Sequence, residues 1–357
     1  KRLYGGKTAL LATTFSTFAA LQIQQSHFFT TDLFVNLFGF LAIYFAVLIL
    51  TTEHTESTEK NEEKESKDTQ HAIRNTDEES RITHHASPIP FNSKFLWLSI
   101  AFGIAFGMAL ASKVNIYPLA FLLPGAYIVR GLSDPKEKER LLNPINVNRI
   151  ITFLVVGGVA AVLTFRIFQP YAFDGFLPNQ LWVDKIAEQR VQARGDADLP
   201  WNLQWARRTH LYSFTNLTVW GLGLPLGILA WVGFLSMAWT IWKGERRHLL
   251  LWAWTAVYFG WQSMQFNPTM RYQLPIYPLL AMMAAWFVFE FPRSSVFPSS
   301  RSHVSRFTHH AIQIIGVIIT IATIAWGYAF STIYTRDETR IAASRWIYQN
   351  VPAGINL

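Results

Sequence analysis

The sequence predicts an all-α, polytopic membrane helix bundle. Three observations carry that prediction. The 357 residues are 51% hydrophobic and only 15% charged, with 14 Trp and 28 Phe, far from a water-soluble composition. Apolar runs close to the roughly 20 residues needed to cross a bilayer recur along the chain. Lys and Arg gather in alternate connections between those runs. With no cysteine, the chain cannot use disulfides, thiolate metal ligands or a thiol nucleophile.

Nine runs qualify as candidate spans: about 8–25, 33–51, 95–112, 115–131, 149–168, 217–242, 249–265, 273–291 and 311–331. Helices are expected throughout, because hydrocarbon cannot satisfy open backbone groups. Lys1, Arg2 and Lys7 precede the first run, and Lys136, Lys138 and Arg140 follow the fourth. Lys243, Arg246 and Arg247 follow the sixth, and Arg293, Arg301 and Arg306 the eighth. Nine passes put all four groups on one side, expected to be cytoplasmic. The opposite side receives the turn near residue 27, the Lys113 turn, loop 169–216, the 266–272 turn and the tail 332–357.

The chain divides accordingly. Residues 1–51 hold two spans, 94–168 three and 217–331 four. Between the first two groups, 52–93 is polar and low in complexity, and is expected to be a disordered cytoplasmic loop. Residues 53–81 alone contain 10 of the 23 acidic residues and 5 of the 31 basic ones. The rest of the chain therefore has 26 basic against 13 acidic residues, an excess that fits loops facing anionic membrane lipids rather than nucleic acid. The pair His84–His85 reads as part of a solvated tract. Gly103, Gly107 and Ala111 recur every four positions, the spacing of close helix packing. "GLGLPLG" at 221–227 reads as a packed kink. Residues 179–194 suit an interfacial helix, with Trp182, Ile186 and Val191 toward lipid. The chain starts at Lys1 and reads as an internal piece of a longer protein, with 332–357 the start of a further region.

Candidate chemistry lies in the connections assigned to the outer face. Asp32 follows Thr30 and Thr31 at a helix start, where a carboxylate either caps the helix or faces a cavity. Asn36 shares its helical face. His27 meets Asp32 only if the chain breaks between them. Lys113 runs against the positive-inside bias, and either snorkels or holds an anion. Loop 169–216 offers Asp174, Asp196, Asp198, Trp205 and His210. Its tryptophans suit a membrane belt as well as a sugar platform. In "RYQLPIYPLLAMMAAW" (271–286), Arg271 precedes two prolines tolerated near a helix start. Its guanidinium fork fits phosphate, the alternative being an ion pair with Asp174 or Asp32. Tyr272 and Tyr277 are expected to offer hydroxyls beside it.

At these residues the chain resembles the C-type glycosyltransferases, polytopic enzymes that take sugars from polyprenyl-phosphate carriers. The likeness is to their family-39-like branch, with protein O-mannosyltransferases and lipid A aminoarabinose transferase as relatives. It rests on "QIQQSHFFTTDLFVNLF", "GMALASKVNIYPLAFLLP", "FRIFQPYAF", "WGLGLPLG", "MRYQLPIYP" and "TRIAASRWIYQNVPAG", in that order along nearly the whole chain apart from 52–93. The resemblance implies a lipid-linked sugar donor, an outward-facing site in a bacterial cell membrane, frequent divalent-metal dependence and inverting displacement at the anomeric carbon. It matches Asp32 to the family's outer-face aspartate, and Arg271–Tyr272 to its Arg–Tyr motif. It also puts the catalytic base in an outer loop before the first residues seen here. Lys113 and Arg271 are then candidates for the donor phosphate, and Asp32 with His27 for the cavity or a metal. The rival readings are a transporter or lipid flippase, and a non-catalytic membrane subunit. The absence of an internal repeat weighs against transport.

The charge pattern makes the topology testable. Cysteines placed at Thr31, Asn202 and Thr269 are expected to react with a membrane-impermeant thiol reagent added to intact cells, and one at Ser66 is not. Labelling at Ser66 reverses the orientation.

Overall fold

The computed structural model describes residues 1–28, 30–52, 89–90, 93–197, 199–294, 303–352 and 354. The expectations for 53–81, His84–His85 and Asp198 lie outside the described residues. The chain is a helical, multi-pass membrane protein. Among the described residues seven helical stretches are long and apolar enough to cross a bilayer: Thr31–Thr51, Lys94–Ser112, Val114–Ser133, Pro144–Phe168, Leu224–Trp242, Met270–Phe289 and one within 308–350.

Two of the nine expected spans take a different form. The first is broken into α1 (Gly5–Thr17) and α2 (Ala20–Ser26), with Ala19 extended at ψ 125°. Thr13 and Thr14 turn their hydroxyls onto the carbonyls of Ala9 and Leu10, a back-bonding that weakens a helix near its end. Gly327 packs over the break: a Cβ there would fall 2.7 Å from the Phe18 carbonyl oxygen. The seventh expected span is α11 (Leu249–Ser263), only 15 residues.

The remaining helices are α3 (Thr31–Thr51), α4 (Lys94–Ser112), α5 (Leu122–Ser133), α6 (Pro135–Leu142), α7 (Pro144–Phe168), α8 (Gln180–Arg194), α9 (Leu211–Asn216), α10 (Leu224–Trp242), α12 (Tyr277–Phe289), α13 (His303–Ser331) and α14 (Thr339–Asn350). One small hairpin departs from the all-helical expectation. Strand β1 (Phe173–Asp174) pairs antiparallel with β2 (Leu177–Pro178), and Gly175 turns between them at φ +58°. The helix expected over 179–194 forms as α8, capped by the Asn179 side chain and ended by left-handed Gly195. Trp182, expected to face lipid, packs edge-on against Phe165 of α7 and joins the helix to the bundle.

Packing explains the small-residue pattern. A Cβ on Gly103 would lie 2.0 Å from the carbonyl oxygen of Gly157, and one on Gly107 would lie 2.5 Å from that of Ala161. Helices α4 and α7 thus meet backbone to backbone, where dispersion replaces the hydrophobic drive that lipid removes. α12 is the most enclosed helix, held between α1 and α10. The 221–227 segment is the packed kink expected: a π-turn over Leu217–Gly221, Gly223 at φ +86°, then α10 with Pro225 in its first turn. Gly221 is needed because the Tyr277 hydroxyl sits 2.0 Å from where its Cβ would be. Tyr277 is therefore fully buried. It offers no hydroxyl to a headgroup, contrary to the sequence expectation.

Contacts sort the connections into two ends. At one end Arg130 donates to the carbonyls of Ile49 and Thr52, at 3.0 and 2.7 Å, and pairs with Glu137 at 2.7 Å. There too Asn146 accepts from the Ile89 N–H at 2.7 Å, and Thr8 reaches Glu290. α5 packs against the 246–248 turn, tying these groups together. The opposite end gathers Asp32, Lys113, His210 with Ser263, and the 270–276 turn. This is the alternation that the basic residues imply.

At the first end His248 is fully buried between Tyr4 and Trp286. Its Nε2 lies 3.2 Å from Glu245, an acceptor only, so Nε2 carries the proton and Nδ1 accepts from the Tyr4 hydroxyl at 3.0 Å. Burial, helped by the Arg247 charge, lowers its pKa from 6.5 to about 4. The unfolded chain takes up this proton near pH 6.5 and the folded chain only near pH 4. The contribution to stability is thus complete above pH 6.5 and is lost as pH falls toward 4. Unfolding midpoints in detergent are expected to drop across that window for the native protein, and to drop less for His248→Gln.

Candidate functional site

The site is built where two helices end and a third connection folds back over them. Asp32 lies in the first turn of α3, where the positive end of the helix dipole favours a carboxylate, yet it caps no backbone N–H. Lys113 ends α4 in extended geometry (φ −162°, ψ 114°), which turns its side chain off the helix axis. The two form an ion pair, with Asp32 almost fully buried and Lys113 still partly open to solvent. Lys113 is thus neither a snorkelling anchor nor an unpaired cation.

The 270–276 turn supplies the cover. This 3-10 segment contains Pro275, and Pro278 sits in the first turn of α12 after it. The Lys113 ammonium lies 4.3 Å from the centre of the Tyr272 ring, and the Arg271 guanidinium 5.4 Å from it. One ring therefore holds two cations, an attraction worth roughly 0.5–2 kcal/mol each according to solvent access. Asp32 balances the first cation. Among the described residues no carboxylate pairs with Arg271, which is exposed. The expected alternative, an Arg271 ion pair with Asp32 or Asp174, does not form. The cluster keeps one surplus positive charge at its rim.

Near this cluster several buried oxygens lack a partner among the described residues: Thr30 Oγ1, Asn36 Oδ1, Asn267 Oδ1 and Gln273 Oε1. Asn36 is one helical turn from Asp32, and Gln273 follows Tyr272. Gln273 donates to the Phe259 carbonyl at 3.3 Å and to Ser263 Oγ at 3.2 Å. Sequence reasoning missed Gln273 and Ser263. Only the neighbourhood of Gln273 to the Arg–Tyr pair could have pointed to it.

The other candidates divide. His210 places Nδ1 3.2 Å from the Ser263 carbonyl, so it joins the far side of the same wall. Trp205 stands edge-on to Tyr212, over which Arg208 also lies, and belongs to that flank. Asp174 sits exposed on the small hairpin and makes no ion pair among the described residues. His27 stacks flat on Tyr334, 3.6 Å between ring centres, and holds the Ile23 carbonyl at 2.8 Å. The chain does break between His27 and α3, but it turns His27 toward the segment after α13, so the expected pairing with Asp32 does not form. Among the described residues no three His, Asp or Glu side chains converge, and Asp32 is already paired. These residues do not by themselves supply a metal's ligands.

Comparison of the chain with family models, with curated proteins and with solved structures gave no match.

The ion pair is expected to show as coupling. Removing Asp32 alone strands a partly buried ammonium, which should cost about 1–3 kcal/mol, less than for a fully enclosed pair. Asp32→Ala is therefore expected to lower the unfolding midpoint more than Asp32→Ala/Lys113→Ala does. Additive effects of the two single changes would show that the pair contributes nothing.

Proposed function

We propose that the protein is a membrane glycosyltransferase that moves a sugar from a polyprenyl-phosphate carrier to an acceptor, and that the Lys113–Tyr272–Arg271 cluster receives the carrier phosphate. The observation that carries this reading is the surplus cation. Arg271 stands exposed, unpaired by any described carboxylate, beside an ammonium already balanced by Asp32. A phosphate would meet a forked donor at the rim and a second cation behind it. The reading includes nine passes, with α1–α2 and α11 completing the set. It places the cluster at the outer face of a bacterial cell membrane, where a carrier's head would lie with its tail in lipid.

In this mechanism an acceptor oxygen attacks the anomeric carbon from the side opposite the carrier. The bond from that carbon to the phosphate oxygen breaks, and its electron pair stays with the departing polyprenyl phosphate. The acceptor's proton passes to a general base. Charge grows on the phosphate as it leaves, and cations fixed beforehand need not reorganise to meet it. Arg271 bears that charge directly. Lys113 adds to it while Tyr272 keeps both cations in place. A lipid flippase is the second reading, favoured by the α1–α2 break and the π-turn before α10, since broken helices line transport sites.

Arg271 variants test the proposal. Loss of a charge-assisted phosphate contact costs about 1.5–3 kcal/mol, or roughly ten- to more than a hundredfold in affinity. Arg271→Lys is expected to weaken binding of polyprenyl-phosphate sugar and Arg271→Ala to weaken it further, both with unchanged unfolding midpoints. Unchanged affinity in folded Arg271→Ala leaves the residue as an anchor. Carrier that crosses the bilayer without losing its sugar selects the flippase.

A further inference from the structure

A groove of about 470 Å³ lies in the bend where α1 gives way to α2. Thr13, Ser16, Thr17, Gln22 and Ser26 line it, with Pro278 of α12 opposite. None of its lining residues is charged. Thr13 and Ser26 turn their hydroxyls onto their own helices, at 2.9 Å from the Ala9 carbonyl and 2.7 Å from that of Ile23. Ser16, Thr17 and Gln22 make no side-chain hydrogen bond among the described residues.

That is unusual for an apolar span. A hydroxyl or amide left unpaired in hydrocarbon is costly, so membrane helices bond such groups to backbone or to a neighbouring helix. Here two hydroxyls and one amide stay available on both sides of a helix break, around an apolar floor of Ile23 and Pro278. No residue of the 270–276 turn lines the groove, although α2 touches that turn.

We propose that this groove binds the neutral, polyhydroxylated headgroup of a membrane glycolipid. Its chemistry selects that class. A phosphate would need cations and an amine would need carboxylates, and the groove has neither. Sugar hydroxyls both donate and accept, as Ser16, Thr17 and the Gln22 amide do. The C–H face of a sugar ring suits Ile23 and Pro278. The volume falls in the range of small-molecule sites and leaves room for one hexose and the start of its lipid. This site is separate from the phosphate cluster and stands whether or not the protein transfers sugar.

The test uses the purified protein in phosphatidylcholine nanodiscs containing a minor fraction of monoglucosyl diacylglycerol, with retained lipid counted by native mass spectrometry. The native protein is expected to retain the glucolipid over phosphatidylglycerol and over plain diacylglycerol. Thr17→Val/Gln22→Leu keeps the shape and removes two hydrogen bonds, and should weaken retention roughly tenfold. Ile23→Trp fills the groove and should weaken it without touching those bonds. Arg271→Ala should leave it unchanged, which separates this site from the phosphate proposal. Equal retention of glucolipid and phosphatidylglycerol by the native protein overturns the inference. So does native-level retention in both groove variants. Unfolding midpoints confirm that each variant is folded, and the two act by different means, so failure of one to fold leaves the other decisive.

Discussion

The constraint on which this structure rests is the lack of water inside a bilayer. Every backbone N–H and carbonyl at that depth must find its partner within the protein, and the α-helix does so locally. The long apolar runs therefore become helices whatever their neighbours. Among the described residues regular helix gives way to an extended break at Phe18–Ala19, to a π-turn at 217–221 and to 3-10 segments that include 114–121, 246–248, 270–276 and 291–293. The break, the π-turn and the segments at 114–121 and 270–276 lie toward the end of the bundle that holds Asp32 and Lys113, and those at 246–248 and 291–293 lie at the other. Irregular backbone is tolerated at such depth only where protein or a cavity surrounds it.

Electrostatics at that end follow from the same scarcity of water. A carboxylate at the start of α3 and an ammonium at the end of α4 would each be costly to enclose alone. Brought together they cancel, and Tyr272 screens the ammonium with its ring face. The pair leaves Arg271 as the surplus charge, exposed at the rim. The two ends of the bundle thus treat charge differently. His248, at the other end, stays neutral by burial and gives both ring nitrogens to fixed partners, where it ties Tyr4 to Glu245.

Close packing lets these ends be placed at all. α4 and α7 touch through glycines whose Cβ positions are already filled by the facing backbone, and α12 runs enclosed through the middle. The 270–276 turn is held above α3 because α12 is fixed beneath it. Tyr277 contributes to this by filling the space beside Gly221, a packing role in place of the surface role its position in the sequence had indicated.

By itself the sequence determined the helical, multi-pass class, the small-residue seam of α4, the kink before α10 and which connections share an end. These are local properties: length and apolarity of a run, spacing of small residues, and the side on which cations gather. It also brought forward Asp32, Lys113, Arg271 and Tyr272, each a polar residue at the edge of an apolar run. Only the tertiary structure decided how they combine. Lys113 pairs with Asp32 across 81 positions of chain, His27 turns to Tyr334 instead, and Gln273 and Ser263 close the wall. No periodicity encodes those choices, because they depend on which helix ends meet in space and how far each side chain then reaches.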